Sequence, residues 1–160
     1  MSLVQIILVV IVAFIIGCSS VNDQIETYQP VVACSLIGLV TGHLELGVML
    51  GGSLQLITMG WANVGAAMAP DASLAAVAST IILILGGQGA KGIGPAIALA
   101  VPLAVAGLAL TMFVRTATVF IAHIMDSRAE DADIAGIERW HFIGMSLQGL
   151  RVVSLPSSCS

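Results

Sequence analysis

The sequence predicts an all-α, polytopic transmembrane helical protein with broken or re-entrant segments, and three observations carry that expectation. Of 160 residues, 58% are apolar and only 9% charged, with a mean hydropathy of +1.07. A water-soluble domain carries about a quarter charged residues, because something must face solvent. The charges are also unevenly placed: between Val31 and Ala122 they are Glu45, Asp71, Lys91 and Arg115 alone, and most of the others crowd between Asp126 and Arg139. Finally, the apolar runs approach the roughly 20 residues that a helix needs to cross a bilayer.

The first run, Leu3 to about Cys18, ends at the polar cluster from Ser19 to Gln24. Ile15-Ile16-Gly17-Cys18 is similar to a lipoprotein cleavage box, but Met1 to Gln5 contains no Lys or Arg. A cleaved signal requires a basic n-region, so a retained membrane helix is expected. A second run, Val31 to about Val40, meets Gly42, His43 and Glu45 and resumes from Leu46 to Leu50. The Gly-x-x-x-Gly spacings Gly38/Gly42 and Gly47/Gly51 would place glycines on one helix face and let a neighbouring backbone approach closely. His43 and Glu45 lack a partner cluster and read as helix-end residues near water, with a proton or metal site as the alternative.

From Gly51 to Ser73 the pattern changes. Gly51, Gly52, Gly60, Gly65 and Pro70 interrupt it, and Gln55, Thr58, Asn63 and Asp71 lie within it. Irregular backbone at membrane depth is tolerated only where protein or a water-filled cavity satisfies its polar groups, and broken helices mark substrate sites in many transporters. Amides and carboxylates in an otherwise apolar pocket suit the hydroxyl groups of a neutral sugar. Asp71 can equally be the N-cap of a helix over Leu74–Leu85, and the two roles are compatible.

Next come the apolar run Ala75–Leu85, a glycine-rich turn from Gly86 to Gly94, and a long run from Pro95 to about Ile124 containing Pro102 and Arg115. The hydrophilic stretch Asp126–Glu138 reads as a wet loop, and Trp140 as the start of a weaker span cut short by the chain's last residues. Gly87-Gln-Gly-Ala-Lys-Gly92 matches G-x-G-x-x-G, but no acidic residue lies about 20 positions on and Pro95 and Pro102 follow closely. A P-loop fails too, since Lys91 stands between Ala90 and Gly92. The segment reads as a turn between membrane helices. The net charge of −4 offers no basic face for nucleic acid. Cys18, Cys34 and Cys159 show no zinc spacing, and the first two sit in apolar surroundings as small buried side chains. Lys91 and the Arg128/Arg139 segment give conflicting votes on membrane orientation.

The stretch Gly51-Gly-Ser-Leu-Gln-Leu-Ile-Thr-Met-Gly-Trp-Ala-Asn-Val-Gly-Ala-Ala-Met-Ala-Pro-Asp-Ala-Ser-Leu-Ala75 resembles the signature of the enzyme IIC subunit of the mannose/fructose/sorbose family of bacterial phosphotransferase systems. The resemblance extends from about Gln5 to Val152. It takes in Asp23 and Pro30, Val114-Arg-Thr-Ala-Thr-Val119 and Leu147-Gln-Gly-Leu-Arg-Val152. It implies a multi-pass permease subunit of the bacterial plasma membrane, acting in an oligomeric complex with a IID membrane subunit and cytoplasmic IIA and IIB phosphocarriers. A hexose of the mannose, glucose, fructose or sorbose type would enter and be phosphorylated from a histidine on IIB. The phosphoryl-transfer residues then lie on other subunits, no cofactor is expected, and this chain's task is positioning. Sugar contacts are expected from Gln55, Asn63 and Asp71, and from Asp23.

The family implies further helices beyond Arg151. Residues 1–153 therefore read as the N-terminal part of a IIC membrane domain, and 154–160 as a non-family tail of a truncated chain. The alternative function is a non-transporting membrane component, acting in assembly or as a bacteriocin or phage receptor, as members of the family do.

Overall fold

The computed structural model describes residues 2–22, 26–61 and 68–154, and in them the backbone forms six α-helices, one 3-10 turn and no strand. They are α1 (Leu3–Asn22), α2 (Pro30–Thr41), α3 (Leu44–Thr58), α4 (Ala72–Gly86), the 3-10 turn Gly89–Gly92, α5 (Ile93–Glu130) and α6 (Ile134–Ser154).

Several helix boundaries have a chemical cause. Pro30 opens α2 at its first position, where its missing N–H would have had no helical partner. Gly42 ends α2 with φ +82°, a left-handed conformation that a Cβ disfavours, and the N–H groups of Gly42 and His43 turn back onto Leu39 and Gly38 carbonyls. The Gly38/Gly42 pair therefore does not share a helix face: Gly38 packs, while Gly42 makes the turn. His43 stands at the N-terminus of α3 and Glu45 in its first turn, both exposed. The α4–α5 connection turns through Gly87 and Gly89, both at positive φ.

The stretch expected to be a wet loop is mostly helix. α5 continues through Asp126 to Glu130, a turn occupies residues 131–133, and α6 begins at Ile134, six residues before Trp140. Arg128, Ala129 and Glu130 are good helix formers, and long charged side chains can reach water from a helix. At 38 residues, α5 is about 57 Å long, well beyond a hydrocarbon core of about 30 Å, so a wet helical end is the natural reading. Asp133 accepts from the Gly136 N–H at the new helix start and pairs with Arg128 at 3.6 Å.

α4 is the central element: ten of its fifteen residues are buried, in a continuous run from Ser73 to Ile81 and at Leu83. It packs against α1, α2, α3, α5 and α6. Its small residues Ala75, Ala76, Ala78, Ser79 and Thr80 let those neighbours approach, and the Ser79 and Thr80 hydroxyls donate to carbonyls one turn back. Cys34 of α2 is fully buried against α4. Outward, the pattern inverts that of a soluble protein: Leu3, Leu56, Phe113 and Phe120 are each at least 68% exposed. Such apolar surface marks a face for lipid or partner protein. α1 and the stretch Gly89–Glu130 are long and apolar enough to cross a bilayer, while α2, α3 and α4 are shorter apolar helices.

Candidate substrate cavity

The site begins with Asp71. Its carboxylate accepts from the Leu74 N–H at 3.2 Å, capping α4, and from the Ser73 hydroxyl at 2.6 Å. Its own N–H donates to the Ala104 carbonyl on α5 at 3.1 Å. That approach needs Gly107, because a Cβ there would lie 2.9 Å from the Asp71 Cβ. Asp71 is thus both the N-cap and a side chain delivered to an interhelical junction.

At that junction Asp71 meets Arg151 of α6, with Nη2 and Oδ2 3.3 Å apart and the two side chains only 5% and 8% exposed, the arginine being the more buried. Arg151 also donates from Nη1 to the Thr111 hydroxyl at 3.0 Å and from Nη2 to the Ser20 hydroxyl at 3.1 Å. The Thr111 hydroxyl lies 3.2 Å from the Asp71 carboxylate and 2.8 Å from the Gly107 carbonyl, so its one proton serves one of the two. One guanidinium therefore ties α1, α4, α5 and α6 together. An ion pair in low dielectric holds only when its remaining hydrogen-bonding groups find partners, and here several do.

Around this network lies a cavity of about 370 Å³, within the roughly 300–1,000 Å³ common for small-molecule sites. Asp71, Ser73, Thr111, Arg151 and Gln148 line it, with Arg115 one turn beyond Thr111 and the rings of Tyr28 and Trp61. Hydrogen-bonding groups beside flat apolar surfaces form a lining suited to a neutral polyhydroxylated ligand.

The sequence-predicted residues distribute unequally. Asp71 lines the cavity. Asn63 and Asp23 lie outside the described residues; the described neighbours Trp61 and Met68 on one side, and Ser20 and Tyr28 on the other, line it. Gln55 is elsewhere: its amide nitrogen donates to the Gln29 side chain at 2.5 Å and its oxygen accepts from the Val31 N–H at 3.4 Å. It supplies a partner to one of the free donors of the first turn of α2 and fastens the open end of the α2–α3 hairpin. Arg151, Thr111, Ser20 and Gln148 were not singled out as site residues from sequence. The available signal was that Asp71 and Arg151 are isolated opposite charges in apolar segments, which seek each other.

The family described as PTS system sorbose-specific iic component matches residues 3–159. The fructose permease IIC component of Bacillus subtilis (strain 168) is 53% identical over 153 residues, which is 96% of this chain and 56% of that one. The mannose-specific EIIC component of the Escherichia coli (strain K12) PTS system is 46% identical over 148 residues, covering 92% and 54%. A cryo-EM structure of the mannose transporter ManYZ in complex with microcin E492 superposes with a TM-score of 0.89 at 44% identity, covering 96% of this chain and 60% of that one. The chain spans about half the length of the curated relatives it matches.

Proposed function

The chain belongs to the family of sorbose-specific IIC components of the phosphotransferase system, and from that premise we propose that it is a multi-pass permease subunit of the bacterial plasma membrane that holds a hexose for phosphorylation by a IIB subunit. The observation that carries this reading is the cavity of about 370 Å³ built around the Asp71–Arg151 pair inside a helical bundle with an apolar exterior.

Asp71 and Arg151 neutralise each other as a pair, which lets an uncharged ligand bind beside them without meeting an unpaired buried ion there, while Arg115 adds a further donor to the lining. Asp71 accepts from sugar hydroxyls, and Asn63 and Asp23, which lie outside the described residues, complete the contact set in this reading. Gln55 acts through the hairpin it fastens. No nucleophile is required of this chain: it presents a hydroxyl in line with the phosphoryl donor, a positioning task whose worth lies in restricted orientation. The IID, IIA and IIB subunits are the partners this reading requires.

The test is hexose-dependent stabilisation of the chain co-expressed with a IID subunit and held in lipid nanodiscs. At least one of mannose, glucose, fructose and sorbose should raise the melting temperature saturably, since a ligand at a hundredfold excess over Kd adds about 2.7 kcal/mol to the native state. No response to any of the four, at concentrations that stabilise a full-length relative, would sink the reading.

The relative ManYZ is seen with a microcin, which favours a second role in which this chain contributes to a bacteriocin-receptor surface. Microcin sensitivity without restored hexose uptake, in a strain lacking its own IIC subunit, would select the second role over the first.

A further inference from the structure

The described lining of the large cavity holds two guanidinium groups and one carboxylate, and that carboxylate, Asp71, already pairs with Arg151. The cation left over is Arg115. It is exposed, and it makes no hydrogen bond or ion pair among the described residues. Its place on α5 decides where its charge acts. A helix turns about 100° per residue, so Arg115 shares a face with Thr111, four positions back, and stands nearly opposite the exposed Phe113 and Phe120. The guanidinium therefore belongs to the cavity side of the helix and not to its apolar face. It also lies on the side of Thr111 nearer the charged end of α5 at Asp126–Glu130. Further along that face, Thr118 and Ala122 line a second cavity of about 170 Å³ between α5 and α6.

An ionisable side chain in an apolar transmembrane run is costly, and it persists where it has a partner or serves a ligand. A neutral hexose beside the Asp71–Arg151 pair brings Arg115 no counter-charge. A phosphate ester of that hexose does, at roughly −1.5 to −2 near neutral pH, and the guanidinium fork matches phosphate oxygens with two parallel hydrogen bonds. We propose that Arg115 binds the phosphate group of a hexose monophosphate whose ring lies beside Asp71 and Thr111. The inference rests on the sugar-permease reading and deepens it: one cavity takes the neutral substrate at the ion pair and retains its phosphorylated product through Arg115. Lipid headgroups offer the same phosphate chemistry, so the test must separate the two sources.

The experiment titrates the best-bound hexose and its 1- and 6-phosphates against the full chain, co-purified with its IID subunit in phosphatidylcholine nanodiscs. Wild type, Arg115→Gln and Arg115→Lys are compared, and the readout is the ratio of ester to hexose affinity. Arg115→Gln should weaken the tighter-bound ester roughly tenfold to a hundredfold, and the hexose far less. Arg115→Lys keeps the charge without the fork and should fall between glutamine and wild type. In wild type, raising salt from about 0.1 M to about 1 M should weaken the ester more than the hexose. Equal losses for ester and hexose on Arg115→Gln, or no loss for either, overturn the inference. So does an ester effect confined to a phosphate-free amine-oxide detergent, because headgroup phosphate then holds Arg115 in the bilayer. If Arg115→Gln does not fold, Arg115→Lys and the salt series on wild type decide. An unchanged affinity ratio in both then overturns the inference. Wild type binding no hexose defeats the permease reading and this inference with it, whereas wild type binding hexose but neither ester defeats this inference alone.

Discussion

The α2–α3 hairpin and the junction of α4, α5 and α6 join helices by opposite means. In the hairpin, backbone meets backbone: a Cβ at Gly47 would lie 2.4 Å from the Cys34 carbonyl oxygen, one at Gly51 2.8 Å from the Val31 Cα, and one at Gly38 2.9 Å from the His43 carbonyl oxygen. At the junction, side chains do the joining, through the Asp71–Arg151–Thr111–Ser20 network. Lipid supplies little hydrophobic drive for helices to leave it, so association depends on close van der Waals packing or on polar bonds. The molecule uses the first in the α2–α3 hairpin, where a turn already aligns the helices, and again where Gly17 of α1 meets the Gln148–Gly149 backbone of α6. It uses the second at the junction, and there it also leaves a cavity.

The largest expected effect comes from splitting the ion pair. Asp71→Ala leaves Arg151 buried with its charge uncompensated and should destabilise by about 3–5 kcal/mol. Adding Arg151→Met should recover most of that and leave chiefly the lost helix cap of about 1 kcal/mol. Denaturant titration in detergent across the four proteins of the cycle gives the coupling. Simple additivity of the two changes would mean that the pair does not act as a unit.

On the hairpin side, Gly47→Ala should cost about 1–3 kcal/mol, because the methyl group meets fixed backbone and not a movable side chain. The same denaturant titration decides it, and a neutral result would mean that the two helices separate easily. The smallest effect has the opposite sign. Gly52 lies in the same helix with nothing within 4 Å of its missing Cβ, so Gly52→Ala should stabilise by about 0.5–1 kcal/mol through backbone entropy alone. If Gly47→Ala and Gly52→Ala behave alike, glycine content and not close approach explains the hairpin.

Hairpin and junction also differ in how legible they are from sequence. Gly47 and Gly51 announce close packing through their spacing, Gly38 packs although its spacing partner Gly42 makes the turn, and Pro30 and Gly42 lie where a helix starts and stops. Asp71 is legible too, standing after Pro70 and before an apolar run. The error over Asp126–Glu138 came from equating charge with loop, when the last turns of a long helix can be wet and still helical. Gln55 suggested a ligand contact because a polar side chain in an apolar run draws attention, yet its partners are Gln29 and Val31, more than 20 residues away.

The class of the molecule and most of its helix ends can be read from the residues in order, because hydropathy, caps and turn chemistry act over a few residues. What Asp71 meets follows only from how the helices pack. Arg151 is 80 positions further along, Thr111 lies 40 positions from each, and Ser20 bonds Arg151 across 131. No local rule pairs such residues. They come together because α4 is small enough on every side to be surrounded, and because Gly107 lets α5 close over the start of α4.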